Sequence, residues 1–251
     1  MALYRTEAVV LRTYNLGEAD KILTLFTKSR GKGRATARGS RRPRNHLVGV
    51  SQVFTHASFL IFRGKNLDSV SQGTIIDAWL YLREDLTKMA YASYLVELVD
   101  RFTEEYDPNE GVYRLLVSSF SHLQRDGLER RLTRYFELNF LRLVGLAPQL
   151  ENCASCNGEV SGVGDLRFSP QEGGVLCSSC RQTRSDTLPM SVGTYQAMRW
   201  LAACDVERLS VLQIPENTEK EMEEILRNFI NFHLERPLKS LEFLYTIRGT
   251  S

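Results

Sequence analysis

From Lys21 to Leu67 this chain of 251 residues has no aspartate and no glutamate, although it carries 30 acidic residues in all. Eleven Lys or Arg crowd the same stretch. Cations at that density repel one another unless counterions or a partner neutralise them, so the first domain is expected to bind a polyanion rather than present a merely solvated loop. Long apolar runs are missing too. The longest, Ala57 to Phe62, is strand length, far below the roughly 18 residues of a membrane span. The opening MALYRTEAVVLRTYN is too charged for a secretory signal, which predicts a cytoplasmic protein with no membrane partner. Catalytic signatures are absent as well. Gly33 to Ser40 has one residue too many between its glycines for a phosphate-cradling loop and no Lys after the second, and Thr36 stands where a dinucleotide fingerprint needs Gly. There is no G-x-S-x-G and no H-E-x-x-H, and His46, His56, His122 and His233 are scattered. Glu104-Glu105 and Glu223-Glu224 are adjacent helical residues that diverge, so neither is an acid/base pair. No active site is legible, and the protein is expected not to be an enzyme.

What is present is sorted charge. The chain is formally +2, yet without the eleven cations of that stretch 21 basic residues face 30 acidic ones, and from Asp68 onward 19 face 27. The cations expected to contact phosphates are Lys28, Arg30, Lys32, Arg34, Arg38, Arg41, Arg42 and Arg44, interleaved with Gly, Ala, Ser and Thr. Such residues neutralise backbones without reading base edges, so binding should be non-specific.

The pattern around them reads as short strands: Leu3 to Tyr14, Lys21 to Thr27, Arg34 to Arg38 with Ala and Thr on one side and arginines on the other, Ser51 to Phe62, and Asp68 to Ile76. Five strands in about eighty residues suit a small closed barrel. After Asp77 apolar residues recur at helical spacing to Phe102, from Val112 to Leu123 and from Leu128 to Val144. Ser191 can cap a helix through Ala203, on whose apolar face Cys204 would lie. Asn217 can cap another, with Met222, Ile225, Leu226, Phe229, Ile230 and His233 on one face. The resulting fold class is α+β and multidomain: a barrel over residues 1–76 and a helical body over 77–251, interrupted by an insert at 150–186.

That insert holds four of the five cysteines. Cys153-x-x-Cys156 and Cys177-x-x-Cys180, twenty residues apart, have the spacing of a four-thiolate zinc site. Four protein ligands fill a tetrahedral ion, so one structural Zn²⁺ per chain is expected, with no open position for catalysis. The segment between, with Gly158, Gly162, Gly164, Gly173 and Gly174, has too few large apolar residues to fold alone, and metal binding would supply the missing stabilisation.

Together the EAVVLRTYNLGEADKILTLFT strand pair, the KGRATARGSRRP segment, the helical body, the cysteine pairs and the near-terminal HLERPLKSLEFL resemble the bacterial RecO recombination-mediator family over the whole chain. Glu235 stands where the family pattern has Gly. The resemblance implies an OB-fold that binds single- and double-stranded DNA, promotes annealing, associates with RecR and with the tail of the single-stranded DNA-binding protein, and helps load RecA. An OB barrel combines a basic groove with aromatics that stack on bases, for which Phe26, Phe54, Phe59 and Phe62 are available beside their ordinary role in a core. Two other classes fit the residues alone: a zinc-ribbon RNA-binding or ribosome-associated factor, and a metal-dependent nuclease whose carboxylates converge only in the fold.

Overall fold

The computed structural model describes residues 2–125, 127–160 and 166–249. Strands β1 (Leu3–Leu16), β2 (Asp20–Thr27), β3 (Gly31–Ala37), β4 (His56–Phe62) and β5 (Asp68–Asp77) close into a barrel in the order β1-β2-β3-β5-β4. All neighbours are antiparallel except β3 and β5, joined in parallel through Ala35 with Asp68 and Thr36 with Ser69. Alternation along each strand decides the core. Ala8, Val10, Leu23, Leu25, Ala35, Ala37, Ala57, Phe59, Ile61 and Val70 point inward, plugged by Leu47 and Val50 from the β3–β4 connection. The same alternation corrects one expectation, because Thr36 shares the outward face with Arg34 and Arg38 and donates to the Asp68 carbonyl at 3.2 Å. The fourth strand also starts later than its composition suggests. Residues 51–55 form turns, with the buried Phe54 at φ 67°, held by reciprocal backbone bonds of Phe54 N to Val10 O and Val10 N to Thr55 O.

Helices α1 (Tyr81–Glu84), α2 (Leu86–Phe102) and α3 (Glu110–His122) follow. Asp85 caps α2 by accepting from Lys88 N, and Asn109 caps α3 by accepting from Val112 N, each satisfying a donor that the first turn leaves orphaned. Further along come α4 (Glu129–Leu143), α5 (Val192–Ala203), α6 (Glu216–Phe232) and α7 (Lys239–Gly249), with a small sheet ordered β7-β6-β8 from β6 (Leu166–Ser169), β7 (Gly174–Leu176) and β8 (Leu188–Met190).

Contacts gather the chain into two compact units. The first is Met1–Gln124 with Leu238–Ser251, and the second is Arg125–Pro237. The first unit therefore holds more than a barrel over 1–76. His56, which opens β4, stacks on Trp79 at 5.7 Å and bonds the Tyr113 hydroxyl at 2.5 Å, while Arg83 donates to the Val53 carbonyl at 2.8 Å. Helix α7 returns to α2, where the Glu97 carboxylate accepts from Ser240 N at 2.7 Å and also faces Arg12 at 3.8 Å.

In the second unit Ser191 caps α5 as expected, accepting from Thr194 N at 3.2 Å. The expected cap of α6 is displaced: Asn217 lies inside the helix and Pro215 occupies the cap position, where its fixed φ and missing N–H cost nothing. Met222, Ile225, Leu226, Phe229 and Ile230 are buried. His233 instead ends the helix, exposed, its ring edge-on to Phe229 at 4.8 Å. Cys204 is the C-cap residue of α5 rather than part of its apolar face.

Candidate metal centre and nucleic-acid interface

The cysteine pairs converge. Cys153 and Cys156 sit on a tight knuckle closed by Cys153 N donating to Gly158 O and Asn157 N donating to Cys153 O, both 2.8 Å, with Asn157 at φ 57°. Ala154 N donates to Val175 O, which ties that knuckle to β7, and the chain leaves β7 directly into Cys177. Cys180 opens a single 3-10 turn, Cys180–Thr183. Gly174 is needed here, since a Cβ would lie 2.3 Å from the Gln149 carbonyl. Gly162 and Gly164 lie outside the described residues.

Ligand atoms of all four cysteines lie within 4.8 Å of one another, and the Cys156 and Cys177 sulfurs are 3.8 Å apart. Four sulfurs about 2.3 Å from a tetrahedral ion stand roughly 3.8 Å from each other, so the four-thiolate donor set suits Zn²⁺ with at most a small inward adjustment of the sulfurs. Cys204 is not among them. The thiols are also poised unequally. Burial opposes ionisation of Cys153, yet backbone N–H groups of Cys177, Cys156 and Ser155 draw it down to about 6. Cys177 is lowered chiefly by the N–H of Cys180, whereas bonds with the Cys156 and Cys177 sulfurs push Cys180 up to about 12. Four thiolates at this separation need a cation to coexist.

The cations of the barrel spread instead of converging. Lys28 and Arg30 lie at the β2–β3 turn. Arg38, Arg41, Arg42 and Arg44 lie beyond the other end of β3, and seven residues at about 3.3 Å each put roughly 20 Å between the two groups. Arg38, Arg42 and Arg44 are exposed and meet no carboxylate among the described residues. Arg41 is exposed and braces the loop, its guanidinium donating to the Gly17 carbonyl at 2.6 Å. Lys28 faces Glu7 at 3.5 Å, and Arg30 lies over the Tyr4 ring at 4.1 Å.

Between the two groups the strand's own cations are engaged. Lys32 is only 12% exposed, pairs with Asp100 at 3.5 Å and donates to the Asp100 carbonyl. Arg34 pairs with Glu105 at 3.0 Å and stays 57% exposed. The carboxylates come from the end of α2 and the segment after it, which docks beside β3 through a Lys32–Glu105 bridge and Tyr106 N donating to Lys32 O at 2.8 Å. Gly31 allows this approach, since a Cβ there would meet the Asp107 carbonyl at 1.9 Å. No spacing rule links position 32 to position 100, so the sequence carried no signal of it.

Of the four phenylalanines available for stacking, Phe26, Phe54 and Phe59 are buried and only Phe62 is exposed, at 42%. Tyr14 and Tyr106, which composition did not single out, are exposed at 52% and 55%.

Known families match the chain on both sides of the barrel's end. The family model described as Recombination protein O N terminal matches residues 1–79, and Recombination protein O C terminal matches residues 83–242. The chain belongs to the RecO family. It is 40% identical to the DNA repair protein RecO of Symbiobacterium thermophilum, covering 99% of each chain. To the DNA repair protein RecO of Pelotomaculum thermopropionicum it is 37% identical over 97% of this chain and 94% of the relative, and to that of Bacillus cereus 34% over 96% of each. The barrel is thus the OB-fold of a RecO N-terminal domain, followed by a helical body with a clustered four-cysteine site. Among the described residues no helix is long and apolar enough to cross a membrane.

Proposed function

We propose that this RecO family member is a non-enzymatic recombination mediator that binds single- and double-stranded DNA without sequence preference and promotes annealing of complementary strands. With RecR it helps load RecA on strands coated by the single-stranded DNA-binding protein, whose C-terminal tail it also engages. The observation that carries the reading is the exposed arginine cluster Arg38, Arg41, Arg42 and Arg44 on an OB barrel, in which the neighbouring Asp20 carboxylate is taken up by the Gly39 N–H. Flexible cations around a closed barrel hold phosphates and leave base edges free to pair, which annealing requires. Lys28 and Arg30 add a second group at the other end of β3, while Arg34 is held by Glu105 and Lys32 is spent inside the fold, where it serves to anchor α2. In the four-thiolate site Cys153, Cys156, Cys177 and Cys180 would hold one Zn²⁺, whose chemistry is structural because no coordination position is left for water.

The test is a titration of labelled single-stranded DNA at several salt concentrations, with and without RecR. About half a dozen phosphate contacts give a log-affinity slope against log salt of about −4, at about 0.7 per contact. A salt-independent affinity, or a preference for structured RNA over DNA, would reject the proposal, and cleavage of the DNA on adding magnesium would point to a nuclease.

A further inference from the structure

A second basic surface on the barrel was not legible as a unit in the sequence. The register pairs Leu3 with Phe62 and Arg5 with Leu60 on the outer face of β1 and β4, and Phe62 with Ser69 on β5. Leu3 and Phe62 are 48% and 42% exposed. Isolated exposed apolar residues are ordinary, but this cross-strand pair has cations near it along the strand and in the adjoining loop. Arg5 follows on the same face, and Arg63 and Lys65 leave from the end of β4 in the β4–β5 loop. All three are exposed and meet no carboxylate among the described residues.

The loop is rigidly built. Arg63 N donates to the Ala2 carbonyl at 2.9 Å, and Gly64 N donates to Asp68 Oδ1 at 3.0 Å. Asp68, buried, also accepts from the Tyr4 hydroxyl at 2.6 Å, and the Tyr4 ring carries Arg30. A Cβ at Gly64 would sit 1.9 Å from the Leu67 carbonyl, so the turn is tight by construction. The acid on the outer face is Glu7, itself matched by Lys28 at 3.5 Å.

We infer that Phe62, with Leu3 paired beside it, Arg5 further along the same face and Arg63 and Lys65 in the adjoining loop, is a stacking platform for an unpaired base of single-stranded DNA, a site distinct from the Arg38–Arg44 cluster. The inference rests on the nucleic-acid-binding reading above and deepens it by naming the strand form this end of the barrel takes. Aromatic faces accept any base, and neighbouring cations hold its phosphates, but a base paired in a duplex has no free face to offer. The site therefore favours single strands, whereas the arginine cluster holds any phosphate backbone.

The test compares the full chain with Phe62→Ala, Phe62→Tyr and the double variant Arg63→Ala/Lys65→Ala on an oligo(dT) strand and on a blunt duplex. Losing one stacked base weakens single-strand affinity about tenfold, while duplex affinity changes less than about twofold. Phe62→Tyr restores single-strand binding, and the double variant makes the single-strand salt slope shallower by about 1.4. Phe62 is exposed, so the variants should fold, which a thermal melt checks. Unchanged single-strand binding in Phe62→Ala, or equal losses on both substrates, overturns the platform while leaving the general reading intact. A wild-type chain that binds neither DNA overturns both.

Discussion

The arginine-rich segment and the cysteine insert are the two compositional anomalies of this chain, and folding treats them in opposite ways. Eight cations that are close in sequence are dealt to two ends of a strand, with Lys32 and Arg34 paired in the middle. Four cysteines in two distant pairs are brought within 4.8 Å. Like charges gain by separating and by meeting carboxylates, whereas thiolates around one ion gain only by convergence. Local density is thus a guide to partner chemistry in the first case and a guide to geometry only in the second.

The largest test of that contrast is at the metal. Native mass spectrometry should find one zinc per chain, and Cys177→Ser should lose it, removing metal-binding free energy of order 10 kcal/mol from the second unit. Hydrogen exchange should then rise around β6 and β7 while the barrel is spared. Cys204→Ser should keep the full zinc content, and a metal-free protein of undiminished stability would remove the site.

Next in size is reversal of the spread cations. Arg38→Glu, Arg41→Glu and Arg42→Glu together should weaken DNA binding about 100-fold at ~0.15 M salt and flatten the salt slope by about 2, since three contacts at about 0.7 each are lost. If affinity is unchanged with the fold intact, the exposed arginines are only a solvated face.

A smaller effect is expected where α7 docks. Burial opposes ionisation of Glu97, but the N–H groups of Ser240 and Lys239, with Arg12, hold its carboxyl below the usual 4.5. A carboxylate whose pKa is depressed by folding contributes stability that is complete above about 4.5 and lost as pH falls through the folded value. Glu97→Ala should cost about 2 kcal/mol, a figure reduced for the partly exposed Arg12 partner, and should remove that acid sensitivity. Urea melts at pH 7 and pH 4 measure both, and a variant as acid-sensitive as the wild type would exclude Glu97 as the source.

The smallest change sharpens the comparison most. Glu105 occupies Arg34 as a phosphate would, so Glu105→Gln should release one more cation, raising affinity about fourfold at ~0.15 M salt and steepening the slope by about 0.7. An unaltered slope would mean that Arg34 does not reach DNA even when free.

Sequence alone determined what depends on near neighbours. The five strands follow from alternation, the Ser191 cap from one side chain reaching three residues ahead, and the ligand set from two-residue gaps that force both sulfurs of a knuckle the same way. Where local signals compete, the reading slipped: Asn217 is a good cap residue, but Pro215 already supplies the helical entry, and Thr36 follows strand parity rather than its similarity to alanine. Tertiary structure decided which cations stay free and which aromatic stays exposed. Lys32 and Asp100, Glu97 and Ser240, and Leu3 and Phe62 meet across separations that no periodicity encodes, because closing a barrel and docking helices on it are many-body packing outcomes.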